Sequence, residues 1–311
     1  AIPGIESMEG SIYRRTLALE HGPALVELDF SLRAVRLRVP AGDSRDVDEA
    51  VSRCRRLLGL DADFGAARAA LARDELLGPL VAARPGLRVP GAVDGAEVAV
   101  RAIVNQQVSL AAARTVLGRL AEEHGTGVRH WRMRVFPSAE RLAALDPKSL
   151  PMPRVRARAL VTTCAAIAAG EIDLSPGADP AAARAAMLAI PGIGDWTASY
   201  VAMRALADPD AFLPTDLGIR RALARLGQPT DRSSAEALAE RWRPWRAYAA
   251  QHLWDETPSP PPAGQAAPNL ATTPRPRPRP RPSPPAAPAS ARGAPRPSAC
   301  PRRTRPGGGG R

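Results

Sequence analysis

The sequence predicts an α+β chain: a small N-terminal unit of antiparallel strands and helix over residues 1–90, an all-α unit over 91–255, and a disordered C-terminal tail over 256–311. Three observations carry that reading. Period-two alternation is confined to the first forty residues, apolar stripes of helical spacing run from about residue 93 onward, and 17 of the 34 prolines fall between Glu256 and Arg311.

The strands come first. Ala24, Val26, Leu28 and Phe30 share one face, and Val35, Leu37 and Val39 alternate with Arg36 and Arg38, the pattern of half-buried strands. Pro40, Gly42 and Asp43 end the run. From Asp46 to Leu60 the period changes, and Val47, Ala50, Val51, Cys54, Leu57 and Leu58 form one helical stripe. After Pro85 and Pro90 the chain reads as short helices. Glu97–Val104 carries an apolar stripe, Asn105, Gln106 and Gln107 interrupt it, and Ser109 is placed to cap a helix through Leu120. Further helices are expected after Pro137-Ser138, over Arg154–Ala169, and over Pro180–Leu188. The tail, with RPRPRPRP at 275–282 and a four-glycine run, lacks the apolar content for a core, and its arginines add nonspecific, salt-sensitive affinity for DNA at most.

Charge is less informative than its total implies. The net +12 is concentrated in the tail, whose ten arginines and one acidic residue carry +9, so residues 1–255 keep only +3. Cys54, Cys164 and Cys300 are far apart and form no CxxC pair, and His21, His124, His130 and His252 show no metal-ligand spacing. No apolar run approaches the ~18 residues of a membrane span and no signal peptide is present, so a cytoplasmic, reducing setting is expected. The chain opens AIPG rather than with Met, which fits a fragment of a longer product.

The chemistry concentrates in IPGIGDWTASY, Ile190–Tyr200, and in FLPTDLGIRR, which supplies Asp216. Gly192 and Gly194 allow a tight turn and close approach of a ligand. The helix opening at Asp195 then directs unpaired N–H groups outward, as a phosphate requires. The alternative is an ordinary corner between helices. Trp196 and Tyr200 lie at i and i+4 on one helical face, and seven of the twelve aromatics fall between 196 and 254. Phe212, Trp242 and Trp245 read as core, whereas Trp196, Tyr200 and Trp254 read either as core or as walls of a base-stacking pocket. Asp216 reads either as a helix-terminal residue or as a carboxylate that stabilises a sugar cation, and the roles are compatible.

IPGIGDWTASYVAMRAL, DAFLPTDLGIRRAL and ERWRPWRAYAAQHLW, in that order, closely resemble the helix-hairpin-helix DNA glycosylase superfamily, and within it the 3-methyladenine DNA glycosylase II (AlkA) type. VRAIVNQQVSLAAA and FPSAERLAALDP extend the likeness over nearly all of residues 1–255. The resemblance implies an N-terminal domain shaped like a TATA-binding-protein repeat, then two helical lobes around a cleft, with the hairpin at about 184–206. It implies Asp216 as the catalytic aspartate and Trp196, Tyr200, Trp254 and Leu217 around the base pocket, Leu217 standing where some members have an aromatic. DNA contacts fall on Gln106, Gln107, Gly192, Ile193, Gly194 and Thr197, with Gln107 replacing the leucine that often fills the gap left by the flipped nucleotide. Carbonyls of Leu188, Ile190 and Ile193 would bind a structural monovalent metal ion; no cofactor is implied for the chemistry.

Members that also cut the strand use a hairpin lysine, but Trp196 occupies one such position and Lys148 is the only lysine in the sequence. The iron–sulfur cysteine cluster of other members is missing as well. The expectation is a monomeric, monofunctional glycosylase acting on alkylated purines in double-stranded DNA, nucleoid-associated and away from membranes. The alternative is a C-terminal damage-binding module of a larger adaptive-response regulator.

Overall fold

A computed structural model of the chain describes residues 1–31 and 34–256; the tail expected to be disordered lies outside them, apart from Glu256. Four strands, β1 (Glu6–Glu9), β2 (Ile12–Leu19), β3 (Gly22–Asp29) and β4 (Arg36–Ala41), form an antiparallel meander in chain order. In the β2–β3 register Leu17 faces Ala24 and Tyr13 faces Leu28. Helix α1 (Val47–Leu57) covers one side, where Leu17, Leu19, Ala24, Val26 and Leu28 bury against Ala50 and Cys54. Phe30, expected on that inner face, lies just beyond the end of β3 and is exposed, as are Val47 and Val51 at the rim of the α1 stripe.

Eleven further helices follow among the described residues: α2 (Phe64–Leu71), α3 (Gly78–Ala83), α4 (Gly95–Val104), α5 (Leu110–His124), α6 (Ala139–Ala143), α7 (Arg154–Ala168), α8 (Pro180–Leu188), α9 (Asp195–Ala205), α10 (Leu217–Arg225), α11 (Arg232–Ala239) and α12 (Arg246–Glu256). Several of their starts are set by side-chain caps. Asp94, Ser109, Ser138, Asp179, Asp216 and Asp231 each accept a backbone N–H from the first turn. A two-residue ladder of β5 (Thr126–Gly127) with β6 (Arg134–Val135) interrupts the helices. It is a small departure from an all-α unit, and Val128 and Val135 cover the second face of the sheet at Leu25.

Two helical cores result. One gathers α4, α5, α7 and α8 around Ile103, Leu117, Leu160 and Met187; the other gathers α10, α11 and α12 around Ile219, Leu223, Trp242 and Leu253. Although α2 and α3 precede residue 90, they pack into the second core through Ala67, Leu71, Leu77 and Val81. Helix α9 serves both: Val201 enters the first core, Met203 the second, and Trp196 and Tyr200 pack against each. The hairpin helix therefore divides the helical body and carries its aromatic face into the seam.

His252 on α12 is buried, and burial holds its pKa below the ordinary histidine value, with Asp255 opposing. The unfolded chain then binds a proton more readily than the native one, so stability falls as pH drops through about 6.5. His21, raised by its hydrogen bond to Asp46, has the opposite dependence, contributing below about 6.5 and losing its effect at higher pH. Denaturation midpoints at pH 7.5 and 5.5 should show a smaller acid loss in His252→Gln than in the parent; an unchanged loss would remove His252 as a cause.

Candidate active site

The corner between α8 and α9 is Ala189 to Gly194. Ile193 N–H closes the turn on the Ile190 carbonyl at 3.0 Å. Gly192 has φ +96°, and a Cβ there would lie 3.1 Å from Cβ of Ala159 on α7, so the corner seats directly on that helix. Gly194 caps α9 without a side chain, which leaves the first-turn N–H groups free of side-chain acceptors. Asp195 in that turn would repel an anion, but Arg184 and Arg232 both pair with it. Gly192→Ala should cost about 1–3 kcal/mol through the left-handed backbone and weaken duplex binding, measured by thermal melting and DNA titration. Wild-type values for both would show the corner to be adaptable.

Asp216 caps α10 after buried Pro214. Its Oδ1 accepts the Ile219 N–H at 3.0 Å and Nε1–H of Trp254 at 2.7 Å, while Oδ2 accepts Nε1–H of Trp196 at 2.8 Å. The carboxylate is thus held by one helix terminus and two indoles from α9 and α12. Trp196 and Tyr200 stack with centroids 5.2 Å apart and planes 13° from parallel, and Trp254 meets Tyr200 edge-on at 6.5 Å. The structure thus brings Asp216, Trp196, Tyr200 and Trp254 into one cluster, all half-buried.

The remaining expected residues divide. Gln106 gives its amide to the hairpin, donating to Thr197 Oγ1 at 2.9 Å and to the Gly192 carbonyl at 3.3 Å. Gln107 is the exposed neighbour, with left-handed φ of 55°. Thr197 is only 2% exposed, and its hydroxyl is taken by Gln106, which ties the hairpin helix to the loop after α4. Ile193 is likewise buried, so its offering is main chain. Leu217 is 58% exposed beside Asp216.

Two residues escaped the sequence reading. The Arg204 guanidinium lies 5.5 Å from the ring centroids of both Tyr200 and Trp254 and donates to the Pro90 carbonyl. Its spacing, four after Tyr200 on one helix, was the available signal. Gly218 sits under the Trp254–Asp216 bond, signalled only as glycine inside a helix. A separate cavity of about 460 Å³, bordered by Met203, Trp245 and Tyr248, shares Arg204 with this cluster. Burial pushes the Cys54 thiol up to about 11 and Cys164 to about 12, so neither is a ready nucleophile. Among the described residues no group of three or more His, Cys, Asp or Glu side chains could hold a metal, and no helix is long and apolar enough to cross a membrane.

Fold and site together define a helix-hairpin-helix protein with an aspartate-centred aromatic seam. The chain belongs to the HhH-GPD superfamily of base excision DNA repair proteins, matched over residues 100–247, and to its AlkA branch, with the AlkA N-terminal domain matched over residues 1–94. It is 46% identical over 257 residues to the probable bifunctional transcriptional activator/DNA repair enzyme AlkA of Mycobacterium tuberculosis, covering 82% of this chain and 52% of that protein. The chain thus spans about half the length of that relative. It is 35% identical over 260 residues to DNA-3-methyladenine glycosylase 2 of Escherichia coli, covering 82% and 89%. The 3-methyladenine DNA glycosylase of Archaeoglobus fulgidus shares the fold, with a TM-score of 0.71 at 22% identity over 81% of this chain and 89% of that one.

Proposed function

We propose that the chain is a monofunctional DNA glycosylase that flips alkylated purines, such as 3-methyladenine and 7-methylguanine, out of the duplex and hydrolyses the N-glycosidic bond, leaving an abasic site for base excision repair. The observation that carries this reading is the attachment of Asp216 by both its oxygens to the indoles of Trp196 and Trp254. A fixed carboxylate beside electron-rich rings suits a cationic base and the cationic sugar it leaves behind.

In this reading the hairpin N–H groups and the exposed Arg154 and Arg158 of α7 grip the strand, and Gln107 enters the duplex in place of the extruded nucleotide. A purine alkylated at N3 or N7 is positively charged, and stacking on an indole face contributes roughly 0.5–2 kcal/mol. The same charge makes it a good leaving group. The C1′–N bond breaks with its electron pair moving to the base, Asp216 stabilises the oxocarbenium ion, and water adds to C1′ as it gives up a proton. Strand cutting through an imine needs an amine, and Lys148 lies exposed in the turn between α6 and α7.

No cofactor takes part in these steps. The Leu188 carbonyl at the end of α8 and the Ile190 and Ile193 carbonyls of the corner are hard oxygens that would hold a monovalent cation; the Ile190 oxygen already takes one N–H and retains a second lone pair. Such an ion would bridge the corner to a DNA phosphate. The protein would act as a monomer on chromosomal DNA of the cytoplasmic nucleoid. Incubation with methylated genomic DNA should release free methylated purines and leave sites that break only with heat or alkali. Retention of the DNA without release would point to a damage-binding module instead.

A further inference from the structure

We infer that Gly218 and Trp254 form a positioning pair for Asp216, in which the absence of a side chain at 218 is what allows the Trp254 indole to reach the carboxylate; this rests on the proposed catalytic role of Asp216. Trp254 comes from α12, 38 residues away in sequence, and its Nε1–H meets Oδ1 at 2.7 Å. Position 218 is the second residue of α10, directly against that bond. A Cβ built there would lie 2.9 Å from Cδ1 and 3.3 Å from Nε1 of Trp254, and 3.1 Å from Oδ1 of Asp216.

Both neighbours are tied down by further contacts. Asp216 is fixed by the Ile219 N–H and by Trp196, and the Trp254 ring meets Tyr200 edge-on with the Arg204 guanidinium 5.5 Å from its centroid. A single added methyl must therefore displace the indole, the carboxylate, or both. Glycine in a helix costs about 0.5–1 kcal/mol relative to alanine, so local preference at 218 runs toward alanine and the ring contact overrides it. Trp254 accordingly does more than wall the pocket: it donates to a charged acceptor, a bond of the stronger kind, and sets the direction of the carboxylate.

Gly218→Ala and Trp254→Phe test the pair, with Asp216→Asn alongside. Loss of a hydrogen bond to a charged group predicts that each of the first two lowers the single-turnover rate by about 10- to 100-fold. Binding to a duplex with a reduced abasic-site analogue should change less than about threefold, as befits loss of positioning rather than of DNA contact. Because both changes break one contact, the double variant should be no slower than the slower single variant. In protein labelled with ¹⁵N at tryptophan, the Trp254 indole resonance should exchange slowly with solvent and move in Gly218→Ala.

Wild-type turnover in Gly218→Ala with an unmoved indole resonance, or losses that multiply in the double variant, would overturn the pairing. Should Gly218→Ala fail to fold, Trp254→Phe decides alone, a wild-type rate counting against the inference. If Asp216→Asn is inactive while Gly218→Ala is normal, only the positioning role falls; if Asp216→Asn is fully active, the catalytic reading falls and the pairing with it.

Discussion

Asp216→Asn is expected to slow base release by about 10²–10³-fold or more while the protein stays folded. Asparagine caps helices about as well as aspartate and has the same shape, so α10 should keep its start and the melting temperature should hardly move. What disappears is the negative charge proposed to stabilise the sugar cation. The substitution also has a local consequence that follows from the donors converging on this group. An amide has a single acceptor oxygen, whereas Trp196 and Trp254 occupy opposite oxygens of the carboxylate. One indole N–H must therefore face the new NH₂, donor against donor, and part of the pocket loosens. Abasic-duplex affinity separates the two effects: near-normal binding with lost turnover isolates the chemistry, whereas wild-type turnover would remove Asp216 from the mechanism.

Glu97→Ala is expected to have the largest effect on stability. Arg15 is the charged residue on the inward face of β2, 3% exposed among Tyr13, Leu17 and Leu19, and Glu97 on α4 is 6% exposed. The guanidinium contacts both Glu97 oxygens at 3.1 and 2.9 Å, and Arg101, one turn along α4, pairs with the same carboxylate. Removing one partner strands a buried cation, which costs about 3–5 kcal/mol. The chemical-denaturation midpoint should drop accordingly with little change in slope. Replacing Arg15 and Glu97 together by leucine should restore much of the loss, because the desolvation penalty leaves with the charges. If Glu97→Ala cost less than about 1 kcal/mol, water would be reaching the pair. The exposed Arg45–Asp43 pair is a useful contrast, since removing it should cost under about 1 kcal/mol.

Local periodicity made most of the elements readable before any coordinates. The β2–β3–β4 meander announced itself by alternation, α1 and the helices from α4 to α8 by apolar stripes and caps, and the hairpin by two glycines before an aromatic helix. What stayed hidden depends on partners distant in sequence. β1 is only ESME, with no alternation, and forms because β2 offers an edge. The β5–β6 ladder is two residues per strand, held by the sheet face at Leu25 and by Thr16, whose hydroxyl donates to the Arg134 carbonyl. Nothing local assigns α2 and α3 to the core of α12.

The site shows the same division. Residue type and spacing singled out Asp216 and the three aromatics as candidates, but the bonds that join them link residues 20 and 38 positions apart and are invisible in the sequence. The burial of Thr197 was not legible either, since it follows from how α9 divides the two cores. Gly218 and Arg204 acquire meaning only once Trp254 is seen to fold back onto the start of α10.

A single-turnover reaction of the wild-type protein with a duplex carrying one 7-methylguanine, run in the presence of borohydride, tests Asp216-directed hydrolysis most directly. Free base should appear at the rate at which abasic sites form, with an intact strand and no protein–DNA adduct. A borohydride-trapped adduct, or a strand cut without alkali, would contradict hydrolysis directed by Asp216, and so would the absence of any released base.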